Sequence, residues 1–131
     1  MISHRHRAIY FHIGKTAGTS IEFLLGRAHS DINKPDFEQM LGWDPDRFFY
    51  RQHATARVHR EQVGDDVFNR YYKFSIVRNP FVRLLSVYFY MQEDHDRDFG
   101  DFAGFIAALP DLLERPRIQL GAHYLPQTAY T

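Results

Sequence analysis

Ala8-Ile9-Tyr10-Phe11-His12-Ile13-Gly14-Lys15-Thr16-Ala17-Gly18-Thr19-Ser20-Ile21-Glu22 is the stretch on which the reading of this chain turns. Residues 8–13 form a short apolar run with aromatic and β-branched side chains, the pattern of a buried strand. Gly14 and Gly18 then predict a tight turn whose backbone can come close to a ligand. Thr19 or Ser20 is the expected N-cap of a helix over residues 19–27, with Ile21, Phe23, Leu24 and Leu25 as its apolar positions. A helix opening out of a glycine loop presents unpaired N–H groups and a partial positive charge, and Lys15 adds a full one. The stretch reads as a cradle for phosphate or sulfate, built from Gly14, Lys15, Thr16, Ala17, Gly18, Thr19 and Ser20.

The composition bounds what surrounds it. A chain of 131 residues makes one domain, 1–131. Sixteen basic and 16 acidic residues give no net charge, so no bulk field points to nucleic acid, and attraction for anions has to be local. The chain has no cysteine, which removes disulfides, thiolate metal sites and cysteine nucleophiles. No set of His, Asp and Glu has metal-ligand spacing. No apolar run is long enough to span a bilayer, and no cleavage site follows the basic residues 1–7, so a cytoplasmic location is expected.

Farther along, residues 1–7 read as a polar lead-in. Residues 29–31 and 33–36 look like turns, and 37–41 like one helical turn. Residues 47–52 read as a second strand ending at His53, followed by a helix over 54–63 and another from Asp65 to residue 71 or 72. A third strand, 73–77, runs into Arg78-Asn79-Pro80. Asn79 is placed to cap, and Pro80 to open, an apolar helix over 81–91. Tyr88, Phe89 and Tyr90 on it are expected in the core, with one able to serve also as a stacking surface. An acidic surface loop, 94–98, precedes a helix from an Asp101 cap to Leu109, and Pro110 and Pro116 bracket a last short helical piece. Residues 123–131 show no further element.

Strands alternating with helices predict an α/β fold with a parallel sheet flanked by helices. Ligands of such sheets sit beyond the carboxyl ends of the strands, where Lys15, His53 and Arg78 all fall. A nucleotide-triphosphate loop would need a glycine where Ile9 stands, and a metal-dependent site usually wants an aspartate where the third strand ends in Arg78. Three plainer readings remain open. Arg78 can pair with Asp65 or Asp66, Ser86 can bond to its own helix, and His12, alternating with Phe11 and Ile13, reads as a core histidine with a partner. Arg47, Arg51, Arg57 and Arg60 around His53 are either surface charge or a basic rim for an anionic acceptor.

Residues 10–20 resemble the 5′-phosphosulfate loop of sulfotransferases that use 3′-phosphoadenosine 5′-phosphosulfate (PAPS). Phe74-Ser75-Ile76-Val77-Arg78-Asn79-Pro80-Phe81-Val82-Arg83-Leu84-Leu85-Ser86-Val87-Tyr88 resembles their 3′-phosphate segment. Gln52-His53-Ala54-Thr55-Ala56 is similar to the segment carrying the catalytic histidine in the carbohydrate-type branch, and Leu125-Pro126-Gln127 to a further short motif of it. The resemblance implies a P-loop-like sulfotransferase fold, lacking the C-terminal part that longer members carry. It implies Lys15 and His53 as catalytic residues, residues 14–20 with Arg78 and Ser86 around the donor, PAPS giving PAP without a metal, and a hydroxyl acceptor such as an anionic glycan. A PAP-binding remnant without turnover and a nucleotide kinase or NTPase are the alternatives. Exposed aromatic surface would favour a homo-oligomer.

Overall fold

The computed structural model describes residues 1–27, 32–95, 98–114, 123 and 125–131. The turn expected at 29–31, the middle of the acidic run 94–98 and residues 115–116, the end of the last expected piece, lie outside them. The decisive strand is present as β2 (Ala8–Phe11), buried along its length and shorter by two residues than expected. On one side it pairs antiparallel with β1 (Ile2–Ser3), and on the other it runs parallel to β5 (Tyr72–Ser75), with Ile9 opposite Lys73 and Phe11 opposite Ser75. The described sheet therefore has the order β1-β2-β5 and one parallel pair. Residues 1–7 are not a mere lead-in: Met1 and Ile2 are fully buried.

The expected second parallel strand is not in this sheet. β3 (Trp43–Asp44) and β4 (Phe49–Tyr50) form a separate antiparallel hairpin, followed by one 3-10 turn, Arg51–His53. Arg51 explains the difference. Its guanidinium is buried, bonded to Asp44 at 2.6 Å and to Gln62 at 3.1 Å, and it lies 3.9 Å from the Phe37 ring centroid. That pairing folds 43–51 back on itself and takes Arg51 out of any basic rim. Of the other three arginines, Arg57 and Arg60 face Glu61 and Asp65.

Helix α1 (Gly18–Leu24) is shorter at its end than expected. Gly26, at φ 85°, closes it: Arg27 N–H bonds the Glu22 carbonyl and Gly26 N–H the Phe23 carbonyl, a Schellman stop. Helix α2 (Ala56–Arg70) is broken at Gly64, φ 77°, so the two helices expected over 54–72 are there, end to end. Helix α3 (Pro80–His95) begins as the sequence indicates, with the Asn79 carboxamide oxygen accepting from Phe81 and Val82 N–H. Helix α4 (Phe102–Glu114) has its Asp101 cap but runs through Pro110. Phe105 and Leu112, on either side of the proline, are buried against Val87, Tyr88 and Met91 of α3, and that packing carries the helix past it. The other core lies between the sheet and α2, around Ile2, Ile9, Phe11 and Met40. Among the described residues no helix is long and apolar enough to cross a membrane.

Candidate active site

β2 and β5 are parallel neighbours, so the segments that follow them leave the same sheet edge side by side. The first is the loop 14–17. Lys15 and Ala17 adopt left-handed backbone, φ 64° and 63°, a conformation costing about 1–3 kcal/mol each outside glycine. Two contacts hold the loop there: Thr16 Oγ1 donates to the Ile13 carbonyl at 2.7 Å, and Arg83 Nε donates to the Gly14 carbonyl at 2.9 Å. Gly14 and Gly18, expected to let the backbone come close to a ligand, lie instead against two side chains. A Cβ on Gly14 would run into the His123 ring, and one on Gly18 into the His12 ring. The residue preceding α1 is Ala17, without a side-chain cap, so neither Thr19 nor Ser20 is the N-cap; both are exposed.

The second segment brings Arg78. Its Nη1 lies 3.4 Å from the Lys15 carbonyl. Asp65 and Asp66 are occupied by Arg60 and Arg70, and among the described residues Arg78 makes no ion pair. Ser86, two turns into α3, makes no hydrogen bond to its own helix among the described residues. Together with Lys15, Ala17, Gly18 and Thr19 these residues line a cavity of about 320 Å³.

A second cavity of about 250 Å³ lies against the first, and His12, Lys15 and Thr19 line both. Its other walls include His53, His123, Tyr90, Tyr50, Gln52 and Arg27. His53 reaches it from the hairpin and not from the sheet, which corrects the expected route but not the meeting point. His53 Nδ1 is 3.0 Å from the His12 carbonyl oxygen. A carbonyl only accepts, so Nδ1 carries the proton and the lone pair of the neutral ring is on Nε2. The ring lies 4.5 Å from His12 and 5.0 Å from His123, centroid to centroid. Burial first, then the neighbouring His12 and His123, hold the His53 pKa well below the usual 6.5.

His12 is the partnered core histidine its pattern indicates. Its Nδ1 is 2.6 Å from Glu22 Oε1, and Arg27 donates to Glu22 Oε2 at 2.7 Å. Glu22 is wholly buried. Burial pushes its pKa up, but the His12 hydrogen bond and the charges of His12 and Arg27 outweigh that and hold it low. The Lys15 ammonium sits 4.0 Å from the Tyr90 ring centroid, so Tyr90 is a wall of the site and not simply core.

Arg83 was not singled out from the sequence. Its guanidinium is buried and donates to three carbonyls, Gly14 at 2.9 Å, Leu125 at 3.0 Å and His123 at 2.9 Å. The available signal is its position on α3, since Arg83, Val87 and Met91 share one buried stripe and a charge on such a stripe calls for buried partners. Residues 125–131 are also more ordered in pattern than expected, with a 3-10 helix, Gln127–Tyr130, and a fully buried Tyr130.

Acid should weaken this fold. His53 and His59 are both held well below 6.5, chiefly by burial. Above about 6.5 they are neutral folded or unfolded, and below it the unfolded chain takes up protons that the fold refuses, so stability falls with pH. Asp44 continues the loss in the carboxylate range, since burial raises its pKa but the Arg51 bond outweighs it. Thermal melts should show a Tm that falls as the pH drops below about 6.5; a Tm that rises on acidification to pH 5.5 would contradict this.

The two cavities share a wall of His12, Lys15 and Thr19, with Arg78 and Ser86 on one side of it and His53 on the other. The sequence model of the Sulfotransferase family matches residues 1–116, and the chain belongs to that family. No curated protein and no solved structure matches it.

Proposed function

We propose that this protein transfers a sulfuryl group from PAPS to a hydroxyl of a carbohydrate or similar polar acceptor. The observation that carries the reading is the position of Lys15 on the wall common to both cavities, with Arg78 and Ser86 on one side and His53 on the other. The first cavity suits a nucleotide phosphorylated at both ends. Arg78 offers a planar fork for a 3′-phosphate, which a lysine could not copy, and Ser86 a hydroxyl not spent on its helix. The strained loop 14–17 and Lys15 face the same space, where the 5′ end would lie.

Bound PAPS supplies the sulfuryl group: an S–O bond forms to the acceptor oxygen, the bridging S–O bond breaks, and its electron pair leaves with PAP. His53 Nε2 takes the proton of the acceptor hydroxyl. Lys15 provides the positive charge toward which the leaving oxygen's charge grows. Tyr50 and Tyr90 give the acceptor chamber ring faces and Gln52 a carboxamide, beside the Arg27–Glu22 ion pair that also lines it, which suits a polar acceptor. Among the described residues no group of three or more His, Cys, Asp or Glu side chains could hold a metal ion.

Calorimetry with PAP, and in parallel with ATP and magnesium, tests the reading. PAP should bind without added metal and ATP–magnesium should not compete with it. Binding of ATP–magnesium with none of PAP would overturn the proposal in favour of a nucleotide kinase or NTPase.

A further inference from the structure

Arg78 stands past the end of β5, and β5 is the outer strand of the described sheet. Its peptide groups have no strand beside them among the described residues. The Gln127 side chain takes that place. Gln127 Oε1 accepts from Arg78 N–H at 2.8 Å, and Gln127 Nε2 donates to the Arg78 carbonyl at 2.8 Å. One carboxamide thus satisfies both backbone groups of one residue, and only this orientation of the amide allows it. The segment bearing Gln127 is itself anchored, because Arg83 holds the carbonyls of His123 and Leu125 with the same guanidinium that holds Gly14. Tyr130 is buried at its far end. Residues 125–130 lie beyond the span 1–116 that the family match covers, and the resemblance assigns them no chemistry.

We infer that Gln127 is a positioning residue of the donor site: it fixes the Arg78 peptide so that the guanidinium faces the cavity it shares with Lys15 and Ser86. The strap 125–130 is then part of the nucleotide-binding machinery, although Gln127 itself is absent from the cavity's lining. This inference rests on the reading of Arg78 as the 3′-phosphate ligand.

The experiment compares two nucleotides differing only in the 3′-phosphate, PAP and AMP, titrated calorimetrically into wild type, Gln127→Met and Gln127→Asn. Methionine keeps the length without the hydrogen bonds; asparagine keeps the amide but falls short of both groups. Wild type should prefer PAP. Both variants should lose about tenfold in PAP affinity, the worth of a net hydrogen bond or so, with AMP affinity changed less than about twofold. Thermal melts establish that each variant is folded, and should one fail to fold, the other carries the test. An unchanged ratio of PAP to AMP affinity, or an equal loss for both nucleotides, overturns the positioning role. A wild type that binds AMP as well as PAP overturns the reading of Arg78 itself, and the inference with it.

Discussion

Lys15→Ala is expected to lower kcat by about 10²–10³-fold, the range for one lost donor at a developing oxyanion, while PAP affinity falls far less. The asymmetry follows from where the lysine stands. Arg78 and Ser86 line the donor cavity independently of it, so ground-state binding keeps most of its partners. The charge on the bridging oxygen, in contrast, exists only as the bond to sulfur breaks, and an interaction made only then acts on kcat. Lys15 is also placed in advance. Its backbone is held left-handed by the bonds of Thr16 and Arg83, and its ammonium rests against the Tyr90 ring at 4.0 Å, a contact worth about 0.5–2 kcal/mol. Arginine should not rescue the variant, because a planar fork cannot reproduce a compact charge in that space. Single-turnover rates with PAPS, set beside PAP calorimetry, make the measurement. A Lys15→Ala rate within tenfold of wild type would remove the lysine from the chemistry.

What the sequence made legible was local. The strand–loop–helix of residues 8–24, the Asn79-Pro80 helix start and the Asp101 cap are each specified by residues a few positions apart. The sequence of Lys15 and Arg78 after two strands also sufficed to bring them together, since β2 and β5 are parallel. The failures are choices made at long range. Residues 49–50 have a strand's side chains, but whether they join β2 or fold onto Trp43–Asp44 depends on the burial of Arg51 against Asp44. Ile2–Ser3 is too short for any periodicity to show. The three carbonyls that Arg83 gathers lie far from it in sequence, and no local spacing links them. Gly14 and Gly18 are read as letting the backbone approach a ligand, but they make room for two histidine rings, and the left-handed backbone of the loop falls on Lys15 and Ala17.

His53→Gln is expected to lower kcat by about 10²–10⁴-fold, the range for a positioned general base, with PAP affinity unchanged because His53 lines the acceptor cavity and not the donor cavity. Glutamine can still donate toward the His12 carbonyl and fill much of the same space, so what it removes is the Nε2 lone pair. The pH profile gives an independent check. A base works when deprotonated, so activity is lost as pH falls through its pKa. With that pKa held well below 6.5 by burial and by His12 and His123, wild-type kcat/KM should stay level through neutrality and fall only on the acid side of an ordinary histidine. An acid limb with its midpoint at 6.5 or above would assign the base elsewhere. The low pKa makes His53 a weaker base than free imidazole, but it keeps the ring neutral beside Lys15 and the neighbouring histidines. In a chamber this crowded with potential cations, that trade favours catalysis: a protonated His53 could take no proton from the acceptor, however well Nε2 is aimed.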